Sequence, residues 1–115
     1  MKTRTSVWLA LALIVGLPAQ FAFAADGDPA KGKVVFEKLC VICHGAQGKG
    51  DGPAGQMMMP RPTDFTSPKI KGKPDSDLFK SIQDGRPPTT MPAFKEQLSA
   101  QQISDVLAYI RSLGR

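Results

Sequence analysis

Two cysteines three positions apart, Cys40 and Cys43, are followed at once by His44, and the chain has no other cysteine or histidine. The pair is a poor staple. A disulfide between them closes a tiny loop and removes little unfolded-state entropy. A zinc site needs about four ligands, and two Cys with a single His fall short. A thioredoxin-like redox dithiol needs a β-α-β setting, and no alternating strand pattern flanks the motif. A purely structural disulfide leaves the adjacent His44 without a role. Meanwhile the chain has only 115 residues, so it buries too small a share of its own surface to be comfortably stable. Core must come from elsewhere.

The spacing Cys40-Val41-Ile42-Cys43-His44 serves one chemistry well, the covalent attachment of haem. One helical turn puts both thiols on one side, where they add across two vinyl groups. His44 then lies under the ring and offers a neutral imidazole nitrogen to iron. The expected cofactor is one haem c per chain, which also supplies the missing apolar core.

The first two dozen residues belong to a different task. Lys2 and Arg4 make a short positive start, Val7 to Leu17 is apolar, Pro18 interrupts it, and Ala22-Phe23-Ala24 is a small-x-small cleavage pattern. Residues 1–24 therefore read as a secretory signal peptide, with 25–115 as the single domain. An uncleaved anchor is the competing reading, but spanning needs about 20 apolar residues and Pro18 cuts the run short. No transmembrane span is expected in the mature chain, and the expected location is the periplasm. Losing Lys2 and Arg4 lowers the formal net charge from +5 to +3.

Helical signals punctuate residues 25–115. Asp28 as N-cap and Pro29 at the first position open a helix running from Ala30 to about Cys40, with Gly32 and Phe36 on one face. Gly45 to Lys73 reads as loop throughout, rich in glycine and proline; a stretch that long makes sense only if it wraps something rigid. A short helix capped by Asp75 or Ser76 follows, with Leu78, Phe79 and Ile82 on one face and Gly85 as its stop. Arg86 to Pro92 is a second stiff loop. Ser99 and Gln102 form a capping box for a last helix, whose stripe is Ile103, Val106, Leu107 and Ile110; Arg111 and Arg115 suit its negative pole. The fold class is all-α.

With His44 the only histidine, two histidines cannot both ligate one iron, and the sixth ligand is a Met, a Lys or nothing. Met91 is the first choice, because Pro92 and the neighbouring prolines brace its loop and reduce the ordering entropy. Met57, Met58 and Met59 read as flexible apolar filler against a porphyrin edge. A thioether favours ferrous iron, raises the reduction potential and leaves no open position for substrate. Expected site residues are thus Cys40 and Cys43 for attachment, with His44 and Met91 on the iron.

Several segments, in order, carry a family resemblance: Gly32-Lys33-Val34-Val35-Phe36, Cys40 to Gly45, Gly50-Asp51-Gly52-Pro53, Thr90-Met91-Pro92-Ala93-Phe94, and Tyr109 to Leu113. Together they resemble the class I cytochrome c family in its short bacterial monohaem form, over essentially all of 25–115. The resemblance implies three to four helices wrapped with long loops around one covalent haem, the N- and C-terminal helices crossing. It also implies Met91 as distal ligand and the Pro53 carbonyl as acceptor for the second imidazole nitrogen of His44. Arg61 and Arg86 are candidate propionate partners. The 48–68 loop resembles cytochrome c-like domains that also occur fused to, or associated with, larger oxidoreductases.

The expected function is single-electron transfer between redox partner proteins, as a free shuttle or as a subunit of a larger complex, and not catalysis. A peroxidase needs an exchangeable sixth position and a distal acid–base residue, and His44 is already committed. A gas sensor needs open iron and usually a signalling domain. Lys69, Lys71 and Lys73 form either a docking patch for an acidic partner or a solvated loop. No aromatic residue is interleaved with them, and a charge of +3 makes no case for nucleic acid.

Overall fold

Where the chain enters its first helix, Asp28 does two jobs. Its carboxylate accepts from the backbone N–H groups of Ala30 (2.9 Å) and Lys31 (3.4 Å), and Pro29 fills the first helical position. Helix α1 (Pro29–Leu39) follows. The computed structural model describes residues 27–115 together with Gly16; apart from that glycine, the expected leader and its cut after Ala24 lie outside the described residues. A kink at Cys40 separates α1 from the one-turn helix α2 (Val41–His44), which carries the motif.

Segment 45–73 is not pure loop. A 3₁₀ turn (Gly55–Met57) and the one-turn helix α3 (Pro68–Lys71) interrupt it. Both are too short to leave a periodic pattern. α3 forms because Pro68 presets its first turn while Ile70 sinks into the core. Helix α4 (Asp75–Asp84) buries Leu78 and Ile82, with Phe79 half-buried against the same core. Its N-cap position is Pro74 and no side chain caps it, so the expected cap by Asp75 or Ser76 is corrected. The Asp75 carboxylate is instead committed to Arg111 across the fold.

Helix α5 (Ala100–Leu113) begins with the expected box: the Ser99 hydroxyl accepts from the Gln102 N–H and the Gln102 side chain accepts from the Ser99 N–H. It buries Ile103, Val106, Leu107 and Ile110, the stripe read from the sequence. Among the described residues there is no strand, and every regular element is helical, as expected for an all-α fold.

α1 and α5 pack so closely that Gly32 is compulsory. A Cβ there would land on the Asp105 carbonyl. Phe36, fully buried, sits edge-on to Tyr109 at 5.2 Å and to Phe65 at 6.2 Å. The buried Asp105 is itself satisfied: its carboxylate accepts from the Asp28 N–H (2.8 Å) and from the Gln101 amide (3.0 Å). It thereby fastens the entry of α1 to the side of α5.

Arg111 makes the matching tie at the other end. Its Nε and Nη2 both reach one oxygen of Asp75 (2.7 Å each), Nη1 donates to the Ile70 carbonyl (2.7 Å), and Nη2 also donates to the Lys73 carbonyl. The expected role at the helix pole is thus joined by a longer reach that locks α3, α4 and α5 together.

Replacing Gly32 with Ala tests the central contact. The exchange gains about 1 kcal/mol of helix propensity. It also drives a methyl into rigid backbone, where overpacking costs run to about 3 kcal/mol. The expected net loss is about 2 kcal/mol, read by denaturant unfolding of the haem-loaded protein.

Candidate functional site

A one-turn helix has almost no bonds of its own, so the motif depends on what surrounds it. The Cys40 carbonyl takes the N–H groups of Cys43 (3.2 Å) and His44 (2.9 Å). The far end is closed by the glycine-rich loop. Ala54 N–H donates to the Ile42 carbonyl (3.0 Å), Gly52 N–H to Cys43 (3.2 Å) and Gly50 N–H to His44 (2.8 Å). Backbone lies directly on backbone here. A Cβ at Gly52 or Gly55 would strike the carbonyls of α2, and Gly50 adds a left-handed φ of 76°.

Cys40 and Cys43 are both free and half-buried. Burial, and secondarily the neighbouring Cys43, pushes the Cys40 thiol up to about 11. It is a protonated thiol at neutral pH, unlike the activated thiolate of a dithiol oxidoreductase. His44 is also half-buried. Its Nδ1 lies 3.3 Å from the Thr63 carbonyl. A carbonyl only accepts, so Nδ1 carries the proton and Nε2 is left as the lone-pair nitrogen. Burial holds the ring below its ordinary 6.5, opposed by the bond to Thr63, and the neutral form is the ligating one.

The acceptor is therefore Thr63, not Pro53. The glycine loop presents N–H groups to α2 and leaves the imidazole to the next segment. That segment, 63–67, carries the contacts that the sequence reading missed. Phe65 stacks on His44 with ring centroids 4.4 Å apart and planes 19° from parallel. Asp64 folds the segment into a turn by accepting from the Thr66 N–H (2.8 Å) and hydroxyl (2.7 Å). The spacing Asp64-Phe65-Thr66 was the available signal.

Met91 lies half-buried against the core on the loop after α4. Its carbonyl accepts from the Arg86 N–H (3.2 Å), and the loop is closed by Thr89 N–H to Arg86 carbonyl (2.7 Å). Gly85 underlies it, since a Cβ there would fall 2.8 Å from the Met91 carbonyl oxygen. The far side is stitched to α4 by Phe94 N–H to Ile82 carbonyl (3.1 Å). The methionine triplet is split. Met57 and Met59 stand in solvent, whereas the Met58 sulfur accepts from the Thr90 hydroxyl at 3.3 Å, beside Met91. Arg61 is exposed, and Arg86 donates to the Ser81 hydroxyl (3.3 Å). Lys69 and Lys71 are exposed on α3, while Lys73 is half-buried just beyond it.

These residues fit a haem c. Two unpaired thiols sit on a single turn, the adjacent imidazole has its Nδ1 engaged and its Nε2 free, and a thioether is held on a separate braced loop. Among the described residues no group of three or more His, Cys, Asp or Glu is arranged to hold a bare metal ion.

The model of the family described as Cytochrome c matches residues 29–114. The chain belongs to the cytochrome c family. It is 34% identical over 99 residues to the cbb3-type cytochrome c oxidase subunit FixP of Bradyrhizobium diazoefficiens, covering 86% of this chain and 31% of that one. It is 32% identical over 94 residues to cytochrome c-554(547) of Halothiobacillus neapolitanus, covering 76% of this chain and 98% of that one. Among solved structures it resembles a chain of the Kuenenia stuttgartiensis reducing HAO-like protein complex, at 31% identity and a TM-score of 0.63, over 75% of this chain and 42% of that one. The chain thus spans about a third of the length of the FixP relative. As a cytochrome c it has an electron-transfer role, and its family implies covalently bound haem c.

The Asp64 turn gives this cytochrome c a pH dependence. Bonds from Thr66 hold the Asp64 carboxyl below its ordinary 3.8. The folded value is depressed, so the stabilisation is fully present above the unfolded value and is lost as pH falls through the folded one. Protection of the Thr66 amide, measured against its intrinsic exchange rate at each pH, is expected to fall only in that acid window, below about pH 4.

Proposed function

We propose that the chain is a periplasmic carrier of single electrons with one haem c, attached through Cys40 and Cys43 and ligated by His44 and Met91. The observation that carries this reading is the contact of His44 Nδ1 with the Thr63 carbonyl at 3.3 Å. Thr63 fixes the proton on Nδ1, which leaves Nε2 as a neutral donor beside two free thiols. Bound there, the haem supplies a one-electron couple between ferrous and ferric iron.

The protein's own residues divide the remaining work. Cys40 and Cys43 anchor the group covalently, so that a small domain keeps it without relying on binding energy. The Thr63 carbonyl orients the imidazole and raises its basicity. Met91 offers a soft sulfur, which favours the ferrous state and closes the position a substrate would need. Its loop is braced by the Arg86–Met91 and Thr89–Arg86 bonds and by Gly85 beneath. A closed iron supports a carrier and opposes an enzyme. The charged start, apolar run and Ala22-Phe23-Ala24 of residues 1–24 support export, and no described helix is long and apolar enough to cross a membrane.

A second reading, as the electron-transfer module of a larger oxidoreductase assembly, is favoured by its relatives. The FixP relative is a cytochrome c oxidase subunit, and the Kuenenia stuttgartiensis chain comes from a protein complex. Both readings use the same site and redox partner proteins; they differ in whether the domain diffuses between them.

Ferric protein is expected to show the weak near-infrared absorption of sulfur-ligated haem. Met91→Ala should abolish it and Met58→Ala should leave it. Loss with Met58→Ala and retention with Met91→Ala would reverse the ligand assignment. Rapid carbon monoxide binding by the intact ferrous protein would contradict a closed iron.

A further inference from the structure

The segment 63–67 touches His44 without belonging to its motif. Only the Thr63 carbonyl bonds the ring, and at 3.3 Å that bond is near the long limit for N–H···O. One long bond leaves an imidazole free to turn about its Cβ–Cγ axis. The face of Phe65, 4.4 Å away and within 19° of parallel, supplies the missing restraint.

Phe65 is itself held from three directions. Phe36 meets it edge-on at 6.2 Å, its backbone N–H donates to the Gly48 carbonyl (2.7 Å), and the Asp64 turn fixes the chain on both sides. The Ser67 hydroxyl completes that turn by donating to the Asp64 carbonyl (2.8 Å). These contacts hold the Phe65 ring flat against the imidazole.

We propose that Phe65, carried on the Asp64 turn, is a positioning residue for the axial imidazole, fixing the ring plane of His44 and keeping its Nδ1–H on the Thr63 carbonyl. The inference rests on the reading that His44 ligates iron through Nε2. A ring kept on its acceptor is a more basic ligand, and a more basic ligand stabilises ferric over ferrous iron. Phe65 thus lowers the reduction potential that Met91 raises.

The test uses haem-loaded protein and two readouts, the midpoint potential and the low-spin ferric electron paramagnetic resonance spectrum. Phe65→Leu keeps an apolar side chain but removes the flat face; the potential should shift upward and the resonance should broaden or move. Phe65→Tyr keeps the flat face that stacks on His44. Both readouts should then stay at the wild-type values. Asp64→Ala loosens the turn without opening the core. It should shift the potential in the same direction by less, and it carries the test if Phe65→Leu fails to fold. Unchanged potential and resonance in both Phe65→Leu and Asp64→Ala, or in Asp64→Ala alone where Phe65→Leu fails to fold, would overturn this role alone. A wild-type spectrum without a histidine-ligated low-spin signal would overturn the ligand reading and this role with it.

Discussion

Everything at the site depends on a single helical turn that cannot hold its own shape. Val41–His44 is too short for internal bonds to stabilise it, because the first N–H groups and last carbonyls of any helix lack internal partners. The rest of the domain supplies them. The kink at Cys40 provides one acceptor for two N–H groups, and three alternate N–H groups of the 50–54 loop, those of Ala54, Gly52 and Gly50, take the carbonyls of Ile42, Cys43 and His44. Side chains would keep these backbones apart, and this is why the loop is so rich in glycine. The run that looks permissive in sequence is in fact closely fitted.

That turn is positioned by a second backbone contact further away. Gly32 lets α1 lie on the carbonyl of Asp105, and Asp105 bonds back to the N–H of Asp28. α1 therefore has its start fixed on α5 and its end leading directly into the motif. Arg111, gathering Asp75 and the carbonyls of Ile70 and Lys73, holds the opposite end of α5 to the other helices. Between the two ties lies the aromatic cluster of Phe36, Tyr109 and Phe65, and Phe65 transmits the packing to His44.

Much of this was legible in the residues. Caps at Asp28 and Ser99, the stop at Gly85 and the stripe on α5 are local signals, and the structure follows them closely. Single turns were not legible, since four residues carry no period; α3 and the 3₁₀ turn were hidden in what read as loop. The cap of α4 misled because Asp75 had a distant partner in Arg111, and sequence proximity says nothing about a contact 36 positions away. The same limit governs the imidazole acceptor. Thr63 lies 19 positions from His44, and a backbone carbonyl has no residue signature. Analogy pointed to Pro53, but in this chain the neighbouring N–H groups are engaged with α2 and the next segment supplies the oxygen.

In the proposed reading, two loops of opposite character serve one haem. The 63–67 turn engages the imidazole Nδ1, and a proline-containing loop holds Met91 over Gly85, with the Met58 sulfur bonded to the adjacent Thr90. Proton magnetic resonance of the ferrous protein, with methionine methyls selectively labelled, tests this pairing directly. A methionine on the iron experiences the ring current of the haem, so one methyl should appear far upfield, and assignment should give it to Met91. An upfield methyl belonging to Met58, or none at all, would contradict the account.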